Sequence, residues 1–281
     1  MDLIDYLRRE IEKSGYPLEI EVSRLLDKRF EVVINTDSYR DMETGETRDI
    51  DVRATKILRY SDNPLILEAN LVIECKKSDS KAWVFFTRPF EYEYYKTTGQ
   101  YLDGQHILKG NFEITKNTEL IFGSSPHHYS QTRRVAVSFA EIPIQGRDKG
   151  EKGGRKEIFE ATMQLKKYIV DSNRAQINYK DRNIISISFP CIVFDGKMFE
   201  AAMENGQVNL MESNHVVLEA SLSSTSSTWD LGFLIDVAHK SYFEEFLSLL
   251  DESIESIKKT VEKHSKNIIS SVEEIENSMK Q

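Results

Sequence analysis

Cysteine and proline are scarce in this sequence, and an excess of positive charge is absent. The chain has 281 residues, with two cysteines, six prolines and a formal net charge of −9. Cys75 and Cys191 both lie in apolar stretches, so we expect reduced core residues, with neither a disulfide framework nor a zinc site. The negative charge argues against a general binder of polyanions, although an acidic protein can still carry a local basic groove.

Long apolar runs are also missing. No stretch approaches the roughly 18 apolar residues that a membrane-spanning helix needs. The first residues, Met-Asp-Leu-Ile-Asp-Tyr, lack the basic and apolar segments of a secretory signal. A hydrophobic content of 40% with 30% charged residues is typical of a globular protein with a sizeable core. These absences predict a cytoplasmic protein without a membrane span.

Hydrophobic periodicity predicts alternating helices and strands. Helical spacing indicates two N-terminal helices, a helix over 156–171 and a long helix from His239 onward. An Asp195-Gly196 hairpin turn is expected to join 182–194 to 197–202. The remaining strands are predicted at 30–34, 48–54, 65–77, 133–140, 215–221 and 229–237.

This order of elements predicts an α/β fold in which helices flank a mixed central sheet. We assign residues 1–238 to one domain, with an insertion of low regularity at about 78–132. Residues 239–281 form a C-terminal helix with apolar spacing of 3.5–3.6 residues, which we interpret as a surface for a homodimer or a partner protein.

Two charged residues stand out at the end of an apolar strand, Leu71–Lys77. Because side chains alternate along a strand, Glu74 and Lys76 share one face and lie side by side. Buried charges are costly unless they are paired or hold a metal ion. Glu74 and Lys76 are therefore the first candidates for a functional site.

A second anomaly lies in the preceding strand, where aspartate is disfavoured. Strict alternation places Asp49, Asp51 and Arg53 on one face, and Ile50, Val52 and Ala54 on the other. Either Asp49 or Asp51 can then approach Glu74, and we favour Asp51.

These carboxylates can form a site for a hard divalent cation. Glu19, at the inner edge of the second helix, supplies a third carboxylate, and the backbone carbonyl of Cys75 is a natural further ligand. Mg²⁺ prefers such oxygen ligands. Lys76 can orient an attacking water and stabilise negative charge, and we expect Glu74 to stay ionised beside the metal and Lys76. This set of residues is suited to phosphodiester hydrolysis.

The set Asp51…Glu74-Cys75-Lys76 resembles the PD-(D/E)xK nuclease superfamily. The resemblance implies a restriction-endonuclease-like fold and a DNA endonuclease that uses Mg²⁺, with Mn²⁺ as a substitute. Asp51, Glu74 and Lys76 would be its catalytic residues, and Glu19, Asp51, Glu74 and Cys75 its metal ligands. One departure is that no proline precedes Asp51.

Two further features are similar to particular branches of that superfamily. Glu19 resembles the acidic helix residue of Mrr-like members. Gln164 and Tyr168 resemble the Gln-x-x-x-Tyr motif of RecB-type nucleases, which implies that they position DNA. The superfamily implies double-stranded DNA as the partner, and restriction or antiphage defence as the role. The long separation between Lys76 and Gln164 departs from the pattern.

Other interpretations stay open at this point. The chain can instead be a catalytically inactive member of the fold that acts as an interaction or nucleic-acid-binding module. His127-His128 is interpreted as part of a loop, because adjacent residues rarely bind one ion. Lys166 and Lys167 are candidates for contacts with the nucleic-acid backbone.

Overall fold

The computed structural model describes residues 2–41, 43–91, 106–108, 128–144, 153–176, 184–222 and 231–278. Five α-helices lie in these ranges: α1 (Leu3–Lys13), α2 (Tyr16–Leu26), α3 (His128–Gln131), α4 (Lys156–Gln176) and α5 (Phe243–Ser278). Within the same ranges, no helix is long and apolar enough to cross a membrane. The strands are β1 (Val32–Arg40), β2 (Thr47–Arg59), β3 (Ile66–Pro89), β4 (His106–Leu108), β5 (Arg134–Pro143), β6 (Ile184–Glu204), β7 (Gln207–Glu212), β8 (His215–Leu222) and β9 (Leu231–His239).

The strands of the described ranges form one mixed sheet, as the sequence predicted, with β3 and β6 parallel at its centre. On the opposite side of β3, β2 pairs antiparallel with the first half and β5 with the second half. β5 pairs with β8, β8 with β9, and β9 with β6. The pairings therefore return to β3, and this part of the sheet closes on itself.

Helices cover both faces of the sheet. One apolar cluster joins α2, α3 and α5 to β2 and β3, whereas a second cluster joins α4 to the opposite face. The predicted stripe of α4 is confirmed, because its four apolar residues are fully buried: Ile158, Ala161, Leu165 and Ile169. The Leu71–Lys77 segment consequently lies in the middle layer between helices.

The N-terminus of α4 is fixed by a buried carboxylate. The Oε1 atom of Glu141, in β5, accepts hydrogen bonds from the backbone nitrogens of Glu157 and Ile158 at 2.6 and 3.2 Å. Such a contact satisfies amide groups that the first helical turn leaves without partners. It fixes α4 to the sheet at the end of the loop that precedes it.

The predicted hairpin turn at Asp195-Gly196 is wrong, because β6 continues through it. Gly196 pairs with Ser78 of β3, and a Cβ atom there would lie 2.6 Å from the Ser78 carbonyl oxygen. The glycine therefore permits a close approach of two strands. The hairpin lies at Asn205-Gly206, whose φ values of 51° and 78° suit the tight turn into β7.

The predicted insertion begins too early. Residues 78–89 continue β3, where Trp83 and Phe85 are fully buried between β5 and β6. His106–Leu108 adds a short strand beside β6. The rest of the predicted insertion up to residue 127 lies outside the described residues, apart from 90 and 91.

The C-terminal helix belongs to the core. Up to Ile268, its apolar stripe is buried in the same cluster as α2 and β3. The C-terminal helix therefore shares one apolar cluster with α2, α3 and the sheet. The buried stripe gives no support to a dimer interface at these residues.

Three element boundaries also differ from the prediction. β1 begins at Val32 and runs to Arg40, later than the 30–34 segment, and α4 extends to Gln176. The long helix starts at Phe243, after a 3₁₀ turn at Lys240–Tyr242.

Candidate functional site

The side chains of strand β2 stop alternating regularly between the two faces of the sheet at Asp51. Strict alternation placed Ile50 with Val52, but Ile50 packs in the α4 cluster, and Val52 packs in the cluster on the opposite face. Thr36, in the neighbouring strand β1, has a φ of 56°, which is uncommon for a β-branched residue. The pairs on either side keep the same register. The distortion is therefore local, and it lies where the candidate site begins.

Glu74 is a fully buried carboxylate, and only one of its two oxygens has a hydrogen-bond partner among the described residues. Its side chain is 0% exposed, and its Oε2 accepts a hydrogen bond from the Lys76 ammonium at 2.6 Å. Its Oε1 has no hydrogen-bond partner in the part of the chain that the structure describes. The predicted proximity of Glu74 and Lys76 is confirmed, and one pair of acceptor positions remains unused.

Asp51, and not Asp49, faces this pair. The Oδ2 atom of Asp51 accepts a hydrogen bond from the backbone nitrogen of Cys75 at 2.7 Å, and it lies 3.8 Å from the Lys76 Nζ. Asp49 is exposed and accepts a hydrogen bond from Ser38 at 2.5 Å. The open choice between the two aspartates is thus decided by geometry.

Glu19 lies at the edge of the same site. Helix α2 packs through Leu18 and Val22, which leaves Glu19 half-buried. Partial burial and the charge of Asp51 raise the pKa of Glu19, while Lys76 opposes that shift. Glu19 therefore contributes negative charge to the site.

Burial strongly changes the pKa values of Glu74 and Lys76 at the centre of the candidate site. It raises the pKa of Glu74 to about 7, because desolvation, together with Asp51, outweighs the charge of Lys76. Lys76 alone therefore does not keep the pKa of Glu74 at its ordinary value, and the expectation that Glu74 stays ionised beside both Lys76 and a metal remains a prediction. Burial by itself would lower the pKa of Lys76, but Glu74 and Asp51 raise it above its ordinary value. Lys76 is consequently a permanent ammonium.

Two carboxylates remain as candidate ligands of a divalent cation. Among the described residues, no three His, Cys, Asp or Glu side chains are placed to hold a metal ion, so the predicted three-carboxylate set with Glu19 does not form. Mg²⁺ commonly binds one or two carboxylates and keeps several waters. Asp51 and the unpaired oxygen of Glu74 are the residues that would provide these ligands.

The backbone of Cys75 adds a further oxygen. The N–H and C=O groups of one strand residue point to the same edge, and the Cys75 N–H points to Asp51. The carbonyl therefore lies on the same edge of the strand as its N–H, and its role as a ligand remains a prediction. Burial raises the pKa of the Cys75 thiol well above its ordinary value, so the sulfur does not take part as a thiolate.

Helix α4 brings Gln164 and Tyr168 near this region in different environments. Tyr168 is 5% exposed, and its hydroxyl donates to Asp37 Oδ2 at 2.6 Å. Arg53, two residues after Asp51, also donates to Asp37, at 2.5 Å. Tyr168 therefore connects α4 to β1 beside the site, whereas Gln164 is half-exposed and lines a groove.

Of the two lysines predicted to contact nucleic acid, one is buried and the other forms ion pairs within the protein. Lys166 is 3% exposed, and burial lowers its pKa to about 8. The Lys167 ammonium lies 2.9 Å from Asp41 and 2.9 Å from Glu43. This prediction is therefore wrong, because one side chain is buried and the other is paired with carboxylates.

The structure also shows a polar cluster that sequence reasoning missed. Asp236, in β9, is fully buried and accepts hydrogen bonds from Tyr129 at 2.9 Å, His128 at 3.1 Å and His215 at 2.9 Å. Burial alone would raise the pKa of Asp236, but the two histidines lower it below its ordinary range. An aspartate inside the apolar strand Leu231–His239 is the same signal that singled out Glu74.

His128 was predicted to lie in a loop, and this is wrong. It begins α3, is 7% exposed, and its Nδ1 lies 3.2 Å from the Ser253 hydroxyl of α5. His127 lies outside the described residues. The cluster joins α3, β9 and α5, so it stabilises the core on the face opposite α4.

The chain matches no family model, no curated protein and no solved structure. The geometry around Glu74 is therefore the basis on which a function is proposed.

Proposed function

We propose that this protein is a Mg²⁺-dependent endonuclease of the PD-(D/E)xK type, which hydrolyses phosphodiester bonds in DNA. The observation that carries the proposal is the fully buried Glu74, with one oxygen that has no hydrogen-bond partner among the described residues, beside Lys76 and Asp51. When both are ionised, Asp51 and Glu74 leave one negative charge that Lys76 does not compensate, and Glu19 adds to it at the edge of the site. A divalent cation balances this charge and supplies the partner that the Glu74 Oε1 lacks.

Each residue then has a separate role. Asp51, Glu74 and the Cys75 carbonyl would hold the cation, which supplies Lewis-acid stabilisation of the phosphate oxygens and makes water more acidic. The Lys76 ammonium would orient the attacking water and stabilise the charge on the phosphate. The attacking water gives up one proton to the solvent as its oxygen bonds to phosphorus, the P–O bond to the leaving sugar oxygen breaks, and that oxygen takes up a proton from the solvent.

The mixed sheet with helices on both faces supports a restriction-endonuclease-like fold as part of the same proposal. Double-stranded DNA as the substrate, a role in restriction or antiphage defence and the substitution of Mn²⁺ for Mg²⁺ follow from the resemblance of the Asp51, Glu74 and Lys76 motif. Tyr168 would act as a positioning residue through Asp37 and Arg53.

A cleavage assay tests the proposal on plasmid, linear and single-stranded DNA with Mg²⁺, Mn²⁺ or EDTA. We expect Asp51→Ala and Lys76→Ala to lose cleavage by a factor of about 10² or more, since both remove charge at the reacting phosphate. Asp49→Ala is the matched control in the same strand, and we expect it to keep its activity. Cleavage by Asp51→Ala at the unchanged rate, or no cleavage by the original protein, would contradict the proposal.

One observation favours a second candidate, an inactive interaction or nucleic-acid-binding module. The 2.6 Å contact between Lys76 and Glu74 closes an ion pair within the protein, and such a pair can be purely structural. Calorimetric titration with Mg²⁺ and Mn²⁺ distinguishes the two. Binding that Glu74→Ala abolishes supports the nuclease, whereas the absence of binding that depends on Glu74 supports the module.

A further inference from the structure

A groove of about 410 Å³ lies between α4 and the paired strands β1 and β2. Gln164, Phe159 and Met163 line its α4 side, and Tyr39 and Arg48 line its sheet side. Arg48 precedes Asp51 by three residues in β2, so the groove lies about 10 Å along the strand from the candidate catalytic site. The groove is therefore within reach of a substrate that is bound at Asp51 and Glu74.

The charges of this groove disfavour an anion. Arg48 and Lys167 both contact the buried carboxylate of Asp41, at 3.1 and 2.9 Å. Lys167 also contacts Glu43 at 2.9 Å, and Arg48 contacts Glu46 at 3.3 Å. The carboxylates outnumber the cations here, so a phosphate would meet no uncompensated positive charge. A neutral group suits the groove better.

The polar and apolar groups of the groove match a planar ring with a polar edge. Tyr39 lines the groove and is 7% exposed, and its buried hydroxyl has no hydrogen-bond partner among the described residues. The Gln164 amide can both donate and accept a hydrogen bond. Phe159 is 55% exposed and offers an aromatic face, beside the thioether of Met163.

We propose that this groove binds one unstacked nucleobase of the substrate strand, a few nucleotides from the phosphate that is cut. The proposal rests on the nuclease function and adds a substrate class to it: a strand that is single-stranded, or locally opened, beside the cleavage point. Phe159 stacks on the base, and Gln164 and Tyr39 contact its hydrogen-bonding edge. Bases stack on exposed aromatic side chains in proteins that bind single strands.

Oligonucleotides that carry a single 2-aminopurine test the proposal. The probe is placed in turn at each of the positions around a mapped cleavage point, in single strands and in duplexes, and fluorescence is recorded with the full chain in EDTA. We expect a rise at one position, because 2-aminopurine brightens when it leaves its neighbours. Phe159→Ala should abolish the rise and weaken single-strand binding by about tenfold, the loss of one stacking contact.

Phe86→Ala is the matched control, because Phe86 is 39% exposed and lies twelve residues beyond Glu74 in β3. Tyr39→Phe removes only the hydroxyl and should reduce the discrimination between bases at the responding position. DNA that is bound and cut without any position-specific rise, or a rise that Phe159→Ala leaves unchanged, would overturn the base-binding groove and leave the nuclease intact. A protein that neither binds nor cuts DNA would overturn both.

Discussion

The chemistry of the candidate site depends on one buried carboxylate, that of Glu74. Glu74 is 0% exposed and has a pKa of about 7, so its protonation changes near neutral pH. Lys76 donates to one of its oxygens, and the other is buried without a hydrogen-bond partner among the described residues. At the residue scale, the site is thus a carboxylate whose ionisation is disfavoured by burial.

This burial predicts a pH-dependent effect of Glu74→Gln on stability, without metal. The folded-state pKa of Glu74 is raised from 4.5 to about 7, so ionisation opposes folding as pH rises through that window. The original chain loses stability there, and the variant, which has no carboxyl group at this position, does not. We expect the unfolding free energy of the variant, relative to the original, to rise by roughly 3 kcal/mol between pH 4.5 and about 8.

Urea denaturation in EDTA at a series of pH values measures this difference. Glu12→Gln, which changes an exposed carboxylate of α1, is the reference variant. A Glu74→Gln difference that is the same at every pH would show that Glu74 ionises in the folded protein as easily as in the unfolded chain.

At the scale of elements, the site is produced by the paths of β2 and β3. β2 leaves its regular alternation at Asp51, and the Asp51 carboxylate takes the Cys75 N–H that a neighbouring strand would otherwise accept. Beyond this point β3 continues beside β6 with a register shift between Ser78 and Ala82, and a Cβ atom at Gly196 would lie 2.6 Å from the Ser78 carbonyl oxygen. The close approach holds the carboxyl-terminal end of the Glu74 segment in place.

Gly196→Ala should therefore destabilise the protein by about 2 kcal/mol or more. The added Cβ would lie 2.6 Å from the Ser78 carbonyl oxygen, and neither strand can move away without losing its pairing. Gly154→Ala is the control, since its Cβ would have no neighbour closer than 3.9 Å. Thermal unfolding of both variants checks the prediction, and equal melting temperatures would contradict it.

At the scale of the molecule, the C-terminal helix α5 and the N-terminal helix α1 contribute unequally to the core. α5 buries its apolar residues in the cluster that also contains α2 and β3, whereas no residue of α1 is buried. The cluster of His128, Asp236 and Ser253 adds polar contacts between α5 and the sheet. The C-terminal helix is thus required for the fold, and the N-terminal helix is peripheral to it.

Two truncations test this difference. Removal of residues 243–281 should leave a chain that does not fold cooperatively, because one face of the sheet loses its cover. Removal of residues 1–13 should change the unfolding free energy by less than about 1 kcal/mol. Calorimetry and far-UV circular dichroism report both, and a cooperative transition in the C-terminal truncation would show that α5 is dispensable.

The sequence by itself determined the features that depend on local periodicity and on single charged residues within apolar strands. The stripes of α2 and α4, the alternation into β3, and the neighbouring positions of Glu74 and Lys76 follow from spacing along one element. The same reasoning applied to Asp236 would have found the buried carboxylate of β9.

Only the tertiary structure decided how the elements meet, because these relations depend on contacts between distant parts of the chain. The turn signals at Asp195-Gly196 and Asn205-Gly206 are alike in sequence, yet only the second forms a turn, since β3 pairs with β6 on both sides of Asp195-Gly196. Similarly, Asp51 faces Glu74 and Asp49 does not, because β2 changes face at Asp51. That change is a property of strand pairing, which no local pattern records.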